Sequence, residues 1–217
     1  MLVVVVFFPE RTRIKENAVI VTKSGLVELF AEVKPCSPSG WRSRYSWNEL
    51  FELANSHPAV DALSIHTSPR WEGSFELITQ ARKHTSKPIL AKGIHAHDDD
   101  INRALDAGAT MALAVGRIPW GFPHDCLIVE PLSLGKLAQI PLDYKTQWNA
   151  RDLVGLFRKL AGLPTRKESR PSFTEARAVR QHGWICQASH LKTKEDIQTG
   201  ANAVLVGTNL PEFLASL

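Results

Sequence analysis

The chain has 217 residues, 44% of them apolar and 22% charged, a length that supports one sizeable core and a balance that excludes a disordered or fibrous chain. Lysine plus arginine (26) exceed aspartate plus glutamate (22) by four, which suits an anionic small molecule and is too little and too dispersed for nucleic acid. Three cysteines, Cys36, Cys126 and Cys186, stand far apart with no C-x-x-C, so neither a disulfide framework nor a zinc site is indicated and a reducing cytoplasm is the expectation.

The apolar opening Met1–Phe8 has no basic residue before it and no small-residue cleavage site after it, and Glu10–Lys15 closes it abruptly. It is far shorter than the roughly 20 apolar residues of a membrane span, so it reads as a buried strand. Eight further strands are expected at Glu28–Lys34, Val60–His66, Pro88–Lys92, Thr110–Val115, Asp125–Glu130, Leu142–Trp148, Trp184–Gln187 and Ala203–Val206. Helices fit Trp47–Asn55, Phe75–His84 and Asp98–Asp106, the last opening on an aspartate run that favours a helix N-terminus. Gly116–His124 is too short and too rich in Pro and Gly for a helix. Asn149–Gly183 is long, with one helix around Leu153–Leu163, a solvated basic loop Arg166–Arg170 and a second helix around Ser172–Arg180. Strands alternating with helices imply a parallel sheet, and eight of them favour a (β/α)8 TIM barrel in a single domain, 1–217. It is an irregular α/β barrel, with a short or missing fourth helix and no long N-terminal helical extension.

A barrel of this kind carries its chemistry where the strands end. The first barrel strand ends Glu32-Val-Lys34, and alternation puts both charges on one face. The third ends in Lys92, the fifth in Glu130, and the sixth runs into Asn149-Ala-Arg151. The eighth ends Gly207-Thr208, with Pro211 suited to starting a short helix. A single Lys or Glu at a strand end is ordinarily a solvated loop residue. The set is more telling, because these groups are the ones acid–base chemistry uses. The His95-Ala-His97-Asp-Asp-Asp100 cluster invites a metal reading, but His97 to Asp100 read as a helix N-terminus, and Cys36 has no histidine near it to make it a nucleophile.

The segment Phe30-Ala-Glu-Val-Lys-Pro-Cys-Ser-Pro-Ser-Gly40 resembles the first-strand signature of indole-3-glycerol phosphate synthase. So do Ser64-Ile-His-Thr67, Trp71-Glu-Gly-Ser-Phe75, Lys87–Lys92, Val129-Glu130 and Asn149–Leu153, in the right order from about Phe30 to Leu210. The resemblance implies a lyase that needs no cofactor and no metal. It would close 1-(2-carboxyphenylamino)-1-deoxyribulose 5-phosphate to indole-3-glycerol phosphate with loss of carbon dioxide and water. By position it implies Lys92 as general acid, Glu130 in proton transfer during dehydration, and Glu32 and Asn149 as orienting groups. Lys34 would bridge the phosphate and the reacting centre. Ser37, Arg151 and Ser189 would bind substrate, with Lys34, Ser189, Gly207 and Thr208 around the phosphate. The implied partner is a phosphorylated small molecule, with no nucleic acid and no membrane. The protein would be a monomer or homodimer, with other tryptophan-pathway enzymes as candidate partners.

The chain also departs from that family. Ala188-Ser189-His190 stands where the family has Glu-Ser-Gly, so a carboxylate is missing there, unless Gln187 replaces it by a one-residue shift. Gly93 stands where the family has aspartate, and an apolar strand-like start replaces the helical extension. Two alternatives therefore stay open. One is a barrel that has lost catalysis and binds a phosphorylated ligand or a partner. The other is a different phosphosugar isomerase or an aldolase using Lys34 or Lys92.

Overall fold

Apolar stretches flanked by polar strand ends favour burial on both faces, which in a parallel sheet means helices outside and packed side chains within. The computed structural model describes residues 20–22, 25–37, 40–152, 155, 158–159, 161–164 and 170–217. A short antiparallel strand β1 (Ile20–Thr22) leads into β2 (Gly25–Val33). Seven more strands follow β2 in parallel: β3 (Ala62–His66), β4 (Ile89–Lys92), β5 (Met111–Val115), β6 (Leu127–Glu130), β7 (Lys145–Trp148), β8 (Ile185–Gln187) and β9 (Ala203–Val206). Strand β9 pairs back onto β2, with Phe30 opposite Leu205, and closes the barrel. All eight strands expected between Glu28 and Val206 are present, each within three residues of its expected bounds.

The helices sit outside the sheet: α1 (Trp47–Ser56), α2 (Phe75–Arg82), α3 (Asp98–Asp106), α4 (Leu134–Gln139), α5 (Phe173–Val179) and α6 (Leu210–Ala215). Local chemistry starts them. Ser46 accepts from the Glu49 amide at 3.3 Å while the Glu49 carboxylate accepts from the Ser46 amide at 2.7 Å, and Ser172 with Glu175 repeats the arrangement. In α3 the first turn is Asp98–Asp100, which the positive end of the helix dipole favours. Helix α4 was not expected from the sequence, because six residues are too few to show a period. Ser133 caps it and Leu137 is fully buried.

No helix stands between β5 and β6 among the described residues, only a single turn at His124–Cys126. Ile118 and Phe122 of the connecting loop pack instead on the hydrophobic layer outside the sheet. The Met1–Phe8 run lies outside the described residues. So do five of the eleven residues of the helix expected around Leu153–Leu163, and the basic loop up to Ser169. Among the described residues no helix is long and apolar enough to cross a membrane.

Side-chain alternation splits the core in two. Leu29, Ala31 and Val33 of β2 face outward onto the helices, and Phe30 faces the lumen beside Ala62, Leu90, Leu113, Ile128 and Leu205. The lower lumen is therefore apolar and packed, and polar groups are confined to the carboxyl ends of the strands. That layer is the platform for the site.

On the outer wall, Arg180 at the end of α5 is 2% exposed and reaches four carbonyls: Ile140 at 2.9 Å, Pro141 at 2.9 Å, Tyr144 at 2.6 Å and Trp184 at 3.4 Å. It ties the α5 end to the turn that feeds β7. Arg180→Met removes these donors at nearly constant volume, and we expect a loss of about 3 kcal/mol in urea unfolding. A loss below about 0.5 kcal/mol, the usual range for a surface change, would show that the turn holds itself.

Candidate active site

Glu32, near the end of β2, is 3% exposed. An ionised carboxylate at that depth is expensive unless it is paired, and Glu32 is paired on both oxygens. Its Oε1 accepts from Lys92 Nζ at 2.8 Å and from His66 Nε2 at 2.7 Å, while Oε2 lies 3.8 Å from Lys34 Nζ. Strand register produces the cluster: Glu32 is opposite Ser64 of β3, two residues below His66, and His66 is opposite Lys92 of β4. Burial works to raise the Glu32 pKa, but Lys92, Lys34 and His66 together outweigh it and hold the carboxyl well below the usual range.

Across the lumen, Glu130 at the end of β6 is 2% exposed and shifts the other way. Burial pushes its pKa up. The charges of Lys92 and Arg170 and the hydrogen bonds from Gln147 and Asn149 offset only part of that. Gln147 donates through Nε2 to Glu130 Oε2. One lumen thus holds two buried carboxyls whose pKa values are pushed in opposite directions, the separation that acid–base pairs need. Burial also lowers the Lys34 pKa, with Glu32 opposing it.

The other expected residues gather at the same end. Lys34 Nζ donates to Thr208 Oγ1 at 3.4 Å, joining the mouths of β2 and β9. Gly207 fits because it lacks a side chain: a Cβ there would come 1.9 Å from Glu32 Oε2. Ser189 Oγ accepts from the Ala150 amide at 2.9 Å, and Asn149 Oδ1 accepts from the Arg151 amide at 3.1 Å, so the β7 and β8 mouths are tied together. Arg151 is exposed and Ser37 buried. A cavity of about 280 Å³ opens beside Thr208, lined by Trp41, Arg42, Arg44, Tyr45 and Asn209 among others.

The departures have physical explanations. Ala188 does face the lumen, packed in the cluster of Phe30, Cys186 and Leu205. Gln187 does not replace a carboxylate there. It points outside the barrel, donating to the Asp196 carbonyl at 3.0 Å and accepting from the Gln198 amide at 2.9 Å. Gly93 is required by its neighbours, since a Cβ would lie 2.4 Å from Thr67 Oγ1 and 2.8 Å from His95 Nε2. His95 is held there by a left-handed backbone (φ 43°) and by its Nδ1 donating to the Leu113 carbonyl at 2.7 Å. His97 caps α3, as the cluster reading expected, whereas His95 is a buried packing residue. Among the described residues no group of three or more His, Cys, Asp or Glu is placed to hold a metal.

Three polar side chains at this end escaped the sequence reading. His66 shares its strand-end position with Lys92, yet the sequence offers it only as part of a motif. Gln147 stands two residues before Asn149 and so on the same face, which was the available signal. Arg170 was expected in a solvated loop; it is half-buried, with its guanidinium 4.6 Å from the Trp148 ring centre, and donates to the Pro131 carbonyl at 2.8 Å.

Gly207→Ala tests the Glu32 cluster without touching a charged group. The added methyl must displace Glu32 or the β9 backbone, so we expect a stability loss of about 1–3 kcal/mol in chemical unfolding. An unchanged unfolding midpoint would mean that the carboxylate is free to move.

No family model matches the chain. It is 33% identical over 102 residues to the indole-3-glycerol phosphate synthase of Campylobacter concisus (strain 13826), a match covering 46% of this chain and 39% of that protein. The synthase of Campylobacter curvus (strain 525.92) is 33% identical over 94 residues, 42% of this chain and 36% of its own length, so the chain spans less than half of these two relatives. That of Microcystis aeruginosa (strain NIES-843 / IAM M-2473) is 29% identical over 199 residues, 84% of this chain and 67% of that one. Among solved structures, a 3-hexulose-6-phosphate synthase superposes with a TM-score of 0.56 at 13% identity, over 88% of this chain and 100% of its own, a likeness of fold alone. The chain is an irregular (β/α)8 barrel, similar in sequence at modest identity to proteins named indole-3-glycerol phosphate synthase.

Proposed function

We propose that this barrel is a carbon–carbon lyase of the indole-3-glycerol phosphate synthase type, acting on 1-(2-carboxyphenylamino)-1-deoxyribulose 5-phosphate without a cofactor. The observation that carries the reading is the Lys92–Glu32 pair, 2.8 Å apart, facing a second buried carboxyl, Glu130, whose pKa is pushed the opposite way.

In this reading the aryl carbon bearing the carboxylate attacks the substrate ketone, and the ketone oxygen takes a proton from Lys92 as the bond forms. Carbon dioxide leaves and the ring regains aromaticity. Glu130, whose pKa burial pushes up, then gives a proton to the new hydroxyl, which departs as water. Loss of a C–H proton from the five-membered ring returns one of the two protons, and solvent supplies the other. Glu32 and Asn149 orient the substrate amine and hydroxyls. Lys34, Ser189, Gly207 and Thr208 surround the phosphate, and Ser37 and Arg151 complete the shell.

Ala188 favours a second reading, in which the barrel binds such a phosphorylated ligand without turning it over. A fluorescence assay for indole-3-glycerol phosphate separates the two. Product from the parental chain supports the lyase, and ligand binding with no product supports the alternative. Lys92→Met should lower turnover on the order of 10²–10⁴-fold with substrate binding largely kept; turnover at the parental rate would remove Lys92 from its assigned role.

A further inference from the structure

We infer that His66 is a positioning residue of this site: its ring donates through Nε2 to Glu32 and holds that carboxylate on Lys92. The inference deepens the lyase reading and rests on it for its kinetic consequence, but not for its spectroscopic test.

The geometry settles the roles. Glu32 Oε1 lies 2.7 Å from His66 Nε2 and 2.8 Å from Lys92 Nζ. An ammonium only donates and a carboxylate oxygen only accepts, so the imidazole must carry its hydrogen on Nε2. Burial pushes the ring pKa down; the Glu32 hydrogen bond and charge oppose this, and Lys92 and Lys34 add to it. The ring is therefore neutral at neutral pH, with a bare Nδ1. That nitrogen is buried with no hydrogen-bond partner among the described residues. A histidine kept only for packing has no need of an unpaired buried nitrogen, which costs free energy. Here the cost is offset by what Nε2 does at the other side of the ring.

The ring has one close aromatic neighbour among the described residues. Trp71 meets it edge-on, with centroids 5.5 Å apart and planes at 69°. The charged and titratable groups that face it are Glu32 and Lys34 of β2, Lys92 at the end of β4, and His95 just beyond. Without His66, Oε1 keeps only Lys92 as a close donor, and the carboxylate can turn toward Lys34, whose Nζ is 3.8 Å from Oε2. Lys92 then loses its fixed partner.

The test pairs His66→Leu, which removes the donor, with His66→Gln, whose amide supplies one at similar reach. Donation to the charged form lowers a carboxyl pKa, so removing it raises that pKa. In His66→Leu the Glu32 carboxyl, followed by carbon-13 NMR, should titrate at higher pH than in the parental chain, and in His66→Gln it should return most of the way. Nitrogen-15 NMR of the parental chain should show a neutral His66 ring with hydrogen on Nε2. In the lyase assay His66→Leu should lower kcat on the order of tenfold, the effect of losing one hydrogen bond to a charged group. KM should stay nearly unchanged and the acid limb of the pH profile should move to higher pH, with His66→Gln restoring most of the rate. A charged ring at neutral pH, hydrogen on Nδ1, or a Glu32 titration unmoved in His66→Leu would overturn the inference. If His66→Leu does not fold, the parental tautomer and a Glu32 titration kept near its parental position in His66→Gln decide it. Absence of product from the parental chain would sink the lyase reading while these NMR results still judge His66.

Discussion

One buried negative charge organises the upper end of this barrel. Glu32 sits where water cannot solvate it, and its ionised form survives only because Lys92, His66 and Lys34 supply what water would. Those partners come from three adjacent strands, β2, β3 and β4, so the parallel register between them is itself a condition of the cluster. The constraint reaches across to β9, where Gly207 must lack a side chain to leave room for Oε2. Packing below is apolar for the same reason. A polar lower lumen would have left Glu32 less isolated and less dependent on its cations.

Glu130 shows how the same residue type acquires the opposite character in the same lumen. Its nearest donors are the neutral amides of Gln147 and Asn149, with Lys92 and Arg170 acting through their charge. Amides stabilise a carboxylate less than an ammonium held in contact does, so burial wins at Glu130 and loses at Glu32. Lys92 stands between the two, bonded to Glu32 and felt by Glu130. Lys34, Lys92 and Arg170 outnumber the two carboxyls they act on around this mouth.

Much of this was legible in the sequence. Most strand cores announced themselves as short apolar runs, five of the eight expected strands ending in a polar residue, and Glu32 and Lys34 could be placed on one face by alternation alone. What escaped was decided by partners distant in sequence. His66 becomes a ligand of Glu32 only when β2 and β3 align, 34 residues apart. Arg170 belongs to a basic stretch whose composition says solvent, and it leaves solvent because Trp148 offers a ring face and Pro131 a free carbonyl. Helix α4 is held by one serine cap and one buried leucine, too few marks to read in advance. The absent helix between β5 and β6 was readable, because Pro and Gly forbid it locally.

The two departures at the site, Gly93 and Ala188, both sit in packing that their small size suits. His95 turns back through a left-handed residue and lays its ring against Thr67, filling the volume a side chain at position 93 would need. An aspartate there would add a third carboxylate beside Lys92, whose ammonium is already engaged at 2.8 Å by Glu32. The same reasoning applies at Ala188, which packs among Phe30, Cys186 and Leu205 with no cation of its own. A carboxylate at that point would meet the same burial that pushes the Glu130 pKa up. Any further carboxylate beside Lys92 would share an ammonium that Glu32 already engages at 2.8 Å.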